Sequence, residues 1–325
     1  MNTITRRHAL GALAGAALAG ALPASAQSPY PSGPITLIVA FPAGGSTDAV
    51  ARLVGSKLSQ AWKQNVIVEN RSGAGGLIGA QRVMSAEPDG YTLLVTNSAL
   101  VQSALSAPGG KAPYDPVNDF APVTQLNHAP VVFSINPDLP AKTLAEFVAL
   151  VKREPGKHSF GSGGIGQTLH LQGALLNMKT GLDMAHVPFK GDAALVSDVM
   201  AGHVSSGFAT IATARAQIQA GKLRPLAVAG PRSPLLPDVP SMGELGYDGF
   251  DAVGWFGMLA PVKTPPPIVD KLADEIARIL KMPDVQERLN SLALSPTGGG
   301  PAEFKRIIAR DYAYWDGVMK AVGTK

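Results

Sequence analysis

Short apolar runs that end in loops of small residues and then resume at helical spacing recur along this chain, and no other feature restricts its fold as much. Ile35 to Ala40 is a β-rich run, FPAGGSTD follows it, and Val50, Leu53, Val54 and Leu58 come next at helical spacing. Ser46 or Thr47 is the expected N-cap, with Asp48 in the first turn. Asn65 to Glu69 and Tyr91 to Thr96 read as further strands, separated by a glycine-rich turn from Gly73 to Gly79 that opens a helix. This alternation predicts an α/β lobe with a largely parallel sheet.

A second series starts at Val131 to Ile135 and continues with a helix from Thr143 to Arg153, ended by Pro155-Gly156. The strand-like His158 to Phe160, a helix from Thr168 to Met178, a strand from Met184 to Val187, a helix from Ala193 and a strand from Leu226 to Ala229 complete it. Trp255 to Leu259 reads as a strand that carries the chain back, and two amphipathic helices, Ile268 to Leu280 and Glu303 to Met319, close the sequence. A hydrophobic content of 46% excludes disorder as the main state, while 36 glycines and 27 prolines in 325 residues exclude a plain helix bundle. With no cysteine, disulfides, thiolate nucleophiles and zinc-thiolate sites are excluded together.

The first 26 residues read as a cleaved export signal: Arg6 and Arg7, an apolar stretch from Ala9 to Leu22, then Ala24-Ser25-Ala26 before Gln27. The apolar stretch is too short for the roughly 20 residues that span a bilayer. The arginine pair is compatible with twin-arginine export, and the general secretory route stays open. A formal charge of +4, which includes those two arginines, predicts neither nucleic acid nor an anionic membrane as partner. The signal predicts export from the cytoplasm, and the expected state is a monomer.

Ligands of parallel α/β sheets sit beyond the carboxyl ends of the strands. The candidate loops there are Phe41, Pro42, Ala43, Gly44, Gly45 and Ser46; Thr96, Asn97 and Ser98; Ser162, Gly163, Gly166 and Thr168; and Pro188, Phe189, Lys190, Gly191 and Asp192. Glycines let backbone amides approach a ligand, and a helix N-terminus behind them favours an anion such as a carboxylate. His170, two residues after Thr168, is a candidate to face the cleft, and Lys190 is a candidate anion partner. A packed or solvated role is the alternative for each. Asp48 would repel an anion, so it is expected to brace its helix from outside the ligand shell.

Gly161-x-Gly163-x-x-Gly166 formally matches a dinucleotide fingerprint. The acid that should end the next strand is missing, because Asp183 precedes that strand and its far end reads HVPFK. There is no G-x-S-x-G elbow, H-E-x-x-H pair or P-loop, so no enzyme class and no cofactor is indicated.

FPAGGSTD, VENRSGAGGLIGA, PDGYTLL, PYDPVNDFAPV, HLQGALL, HVPFKGDAAL and WFGMLAP together resemble the Bug family of periplasmic solute-binding proteins, the receptors of tripartite tricarboxylate transporters. The resemblance runs from about Tyr30 to the C-terminus. It implies a type II periplasmic-binding-protein fold, two α/β lobes joined by two crossover strands with a ligand cleft between them. On that basis residues 27–127 and 251–325 form the first lobe, and 128–250 the second. It also implies no catalysis, a small carboxylate as ligand, and transporter membrane subunits as partners, with a sensor protein as the alternative partner. Phe208, Ala209 and Thr210 join the expected ligand contacts. Many members carry an acid in the segment that here reads Phe208-Ala209-Thr210-Ile211, and its absence argues against an amino-acid ligand. Phe41, Phe189 and Phe208 would favour an aliphatic or aromatic acid instead.

Overall fold

The structure, a computed structural model, describes residues 30–106, 113–164, 167–189, 191–250 and 253–321. The expected leader lies outside them. Residues 33–325 form one compact unit, which holds everything that follows.

The first three strands are β1 (Ile35–Val39), β2 (Val66–Asn70) and β3 (Thr92–Asn97). Between β1 and β2 runs α1 (Ser46–Trp62), which buries Val50, Ala51, Val54 and Leu58 on the face set by their spacing. A 3₁₀ turn (Ala74–Gly76) leads into α2 (Leu77–Met84), and α3 (Ala99–Leu105) follows β3. β4 (Phe120–Ala129) then leaves this layer, and after Pro130 the chain enters a different sheet as β5 (Val131–Ile135). The second layer contains α4 (Leu144–Arg153), β6 (Ser159–Ser162), α5 (Thr168–Thr180), β7 (Ala185–Pro188), α6 (Asp192–Met200), β8 (Ser206–Thr210), α7 (Ile211–Gln219) and β9 (Arg224–Ala229). β10 (Gly254–Pro261) returns to the first sheet, followed by α8 (Pro266–Leu280), α9 (Pro283–Ser291), the two-residue β11 (Ser295–Pro296) and α10 (Pro301–Ala321).

The six-stranded sheet has the order β11-β4-β10-β3-β1-β2 and the five-stranded sheet the order β7-β6-β8-β5-β9. Both are mixed, which corrects the expectation of largely parallel sheets. β1 pairs in parallel with β2 and β3, but β10 runs antiparallel to both β3 and β4. The returning strand inserts between the first-formed strands and the departing one, so it must run against both. β5 likewise runs antiparallel to β8 and β9. The chain thus forms two α/β lobes, with α8 and α10 packed across β4 and α10 also reaching α3 and α5.

The first loop is held from one residue. Asp48 is buried, and its carboxylate accepts bonds from the Gly44 amide, the Arg52 Nε and the Asn70 side chain, each at 2.9 Å. Gly45, not Ser46 or Thr47, occupies the N-cap position of α1, with no side-chain cap, while Asp48 in the first turn ties the preceding Gly44 amide to the helix. The Arg52 bond, followed by the Gly44 and Asn70 bonds, outweighs burial and holds the Asp48 carboxyl down to about 2. The expected bracing role of Asp48 is what the structure shows.

Candidate functional site

Where β3, β8 and β10 meet the starts of α3, α5 and α6, the lobes enclose a cavity of about 440 Å³. That is within the range of small-molecule sites. Six residues expected from sequence line it: Phe41, Asn97, Ser98, Thr168, Asp192 and Thr210. Thr168 and Asp192 begin helices, so the first-turn amides of α5 and α6, which lack intrahelical partners, lie at the same place.

The first lobe's part of the wall is internally braced. Asn97 Oδ1 accepts the Ala99 amide at 2.9 Å, Ser98 N–H donates to the Trp255 carbonyl at 3.0 Å, and Ser103 Oγ donates to the Gly75 carbonyl at 3.0 Å. Trp255, on β10, is 1% exposed yet lines the cavity, with its indole Nε1 donating to the buried Asp311 carboxylate at 2.9 Å. Burial pushes the Asp311 carboxyl up, opposed by Arg310 and by the indole bond. Gln102 Nε2 donates to Thr168 Oγ1, a buried bond from α3 in one lobe to α5 in the other.

The remaining expected residues stand elsewhere. Pro42, Ala43, Gly44, Gly45 and Ser46 are exposed and lie off the wall, because Asp48 folds their loop back toward α1. Thr96 is buried inside β3. Phe208 is fully buried between Phe133 and Phe250, with ring centroids at 4.9 and 6.1 Å, so it corrects the expectation of a ligand contact. It shares a sheet face with Thr210, but only the last residue on that face emerges at the strand's end. Ala209 points to the opposite face, into a cluster with Val132 and Leu195. Phe189 lies off the wall, packed against that cluster and close over Gly161. Gly163, Pro188 and Gly191 are also off the wall, while Gly166 and Lys190 lie outside the described residues.

His170 does not face the cleft. Its ring stacks on His186 with centroids 4.0 Å apart and on Phe160, at an open pocket on another side of the second lobe. His186 Nε2 in turn meets Oγ of the fully buried Ser162 at 2.8 Å, which takes Ser162 out of the cavity. Burial, and then the neighbouring His170, lowers the His186 imidazole to about 4. The folded protein therefore binds this proton less tightly than an unfolded chain, whose histidine titrates near 6.5. Its stabilising contribution is complete above pH 6.5 and is lost as pH falls to about 4. Because the ring is only half-buried, about 1–2 kcal/mol is expected. Thermal melts between pH 7 and 4 should fall less steeply for His186→Gln than for the wild type, and an unchanged slope would exclude this histidine as a source.

Sequence reasoning overlooked one whole wall. Ala99, Gln102, Ser103 and Ser106 all line the cavity from α3 and just beyond. Their spacing of three, one and three residues is a helical stripe of small and polar groups, legible in the sequence once a helix is granted there. Trp255 and Phe256, whose sequence predicts only a return strand, line it as well. The segment expected to lack an acid does meet one, because Asp192 Oδ2 accepts the Thr210 amide at 3.2 Å and its hydroxyl at 3.0 Å.

Residues 50–324 match the tripartite tricarboxylate transporter family receptor, TctC. The chain belongs to this family. Among solved structures, the periplasmic binding protein BugD is 33% identical, with a TM-score of 0.70 over 90% of this chain and 99% of that one. An R. palustris protein solved with adipate is 31% identical, with a TM-score of 0.74 over 90% and 98% of the two chains. MatC from Rhodopseudomonas palustris with bound malate is 32% identical, with a TM-score of 0.70 over 89% and 99%. The TctC relationship fixes the fold as that of a two-lobed periplasmic binding protein and places this chain among solute-binding receptors.

Proposed function

We propose that this TctC-family protein is a non-enzymatic periplasmic receptor that captures a small carboxylate between its lobes and delivers it to the membrane subunits of a tripartite tricarboxylate transporter. The observation that carries this reading is the cavity itself, in which hydroxyls and side-chain amides from both lobes converge with two helix starts of the second lobe. Neutral donors of this kind hold a carboxylate without a lysine or arginine, since hydrogen bonds to an anion are stronger than those between neutral groups. The malate- and adipate-bound relatives support the ligand class. A ligand that touches both lobes favours their closed arrangement, which is the form a membrane partner would read.

The test is a thermal-shift and calorimetric screen of the purified protein against mono-, di- and tricarboxylates, aromatic acids, amino acids and nicotinamide dinucleotides. At a free ligand concentration of about 100 times Kd, binding should stabilise the fold by about 2.7 kcal/mol. A response to carboxylates alone is expected. A response to dinucleotides alone would overturn the reading and return the glycine fingerprint at Gly161 to consideration.

A further inference from the structure

Among the described residues, the cavity wall carries a single charged side chain, and that side chain is an acid. Asp192 begins α6 with its carboxylate turned toward β8. Its Oδ2 accepts the Thr210 amide and hydroxyl, and the Thr210 hydroxyl is met in turn by the Thr213 hydroxyl at 3.0 Å. Its Oδ1 lies over Gly163, where an added Cβ would come within 2.7 Å of it. Among the described residues every partner of this carboxylate is neutral and no ion pair involves it. The α6 N-terminus softens the negative charge without cancelling it. A ligand carboxylate at this end of the cavity would meet a like charge across a part-buried wall, where Coulomb repulsion exceeds its value in bulk water.

Resting on the carboxylate-receptor reading, we infer that Asp192 sets the charge selectivity of the cavity: the receptor takes a ligand with one carboxylate and, at its other end, a hydrogen-donating hydroxyl or ammonium group, and it rejects dicarboxylates. The single carboxylate lies toward Ser98, Gln102 and the start of α5, and the donor end faces Asp192. This separates the chain from its relatives solved with malate and adipate, both of which are dicarboxylates.

Calorimetry with ligands matched in length tests this. The six-carbon set is hexanoate, 6-hydroxyhexanoate, 6-aminohexanoate and adipate; the four-carbon set is butyrate, 4-hydroxybutyrate, 4-aminobutyrate and succinate. In at least one set the wild type should bind a donor-terminated acid about tenfold or more tightly than the dicarboxylate. Asp192→Asn keeps the shape and an acceptor for Thr210, and it should bring the two within about threefold by tightening the dicarboxylate. The wild-type ratio is decisive even where the variant folds poorly. Equal or tighter binding of the dicarboxylate by the wild type overturns the inference, as does a ratio that Asp192→Asn leaves unchanged. A ratio governed by Lys190→Gln instead would also overturn it. Any of these outcomes leaves the receptor reading standing, whereas failure of all eight acids together with the wider carboxylate panel removes both.

Discussion

Replacing Trp255 with alanine is expected to destabilise the fold by about 3–5 kcal/mol, as for other buried large aromatics. The indole packs edge-on against Phe304 with ring centroids 5.1 Å apart, and its Nε1 is a donor to Asp311, which is 1% exposed. Truncation therefore leaves a cavity and also deprives a buried carboxylate of a partner. The same change removes part of the ligand cavity's wall, so affinity should fall together with stability. Trp255→Phe separates the two effects, since it keeps most of the packing while losing the donor, at about 1–3 kcal/mol. Urea melts with ligand titrations would check this; a loss below about 1 kcal/mol for the alanine variant would mean that Trp255 is not integral to the core.

Gly79→Val is the second large effect expected. α2 crosses the end of β1 so closely that a Cβ at position 79 would stand 2.8 Å from the Ala40 Cα and 3.1 Å from the Arg71 carbonyl oxygen. Both are backbone atoms and cannot swing aside, so the helix must lift, at a cost of about 1–3 kcal/mol. Ala40 leads directly into Phe41 on the cavity wall, and Gly76, at φ +98°, lies against the Phe41 ring. Ligand affinity should drop with stability. Gly317→Ala is the control, because nothing lies within 4 Å of its Cβ position and α10 gains a better helix former. Equal melting temperatures for the Gly79 and Gly317 variants would refute the close-approach argument.

The elements with strong apolar periodicity were legible in advance. β1, β5 and α4 fall within a residue or two of their expected limits, α1 starts where expected, and Thr143 accepts the Glu146 amide as a side-chain cap should. Among the missed elements, α3 carries an apolar pattern in ALVQSAL but is only seven residues long, and the others have a composition that carries little signal. β8 reads SGFAT, α7 reads IATARAQIQ, and α9 has too polar a sequence to show an apolar face beyond Val285 and Leu289. Sheet direction was not legible because it follows from where the returning β10 inserts, a pairing between residues far apart in sequence. The site was legible as a set of loops but not as a set of side chains. Phe208 and Thr210 differ only by one rung of the same strand face, and His170, on α5, turns from the cleft into an aromatic stack with His186 on β7.

The bond from Gln102 to Thr168 ties one lobe to the other through protein atoms alone. A buried hydrogen bond is worth about 1 kcal/mol net, enough to shift an open-to-shut balance about fivefold. A receptor with such a clasp gives its cargo less work to do in shutting the jaws. It also narrows the contrast in shape between loaded and vacant molecules. On the proposed role in uptake, how faithfully a membrane partner distinguishes the two depends on how much more the cargo adds than the clasp already supplies.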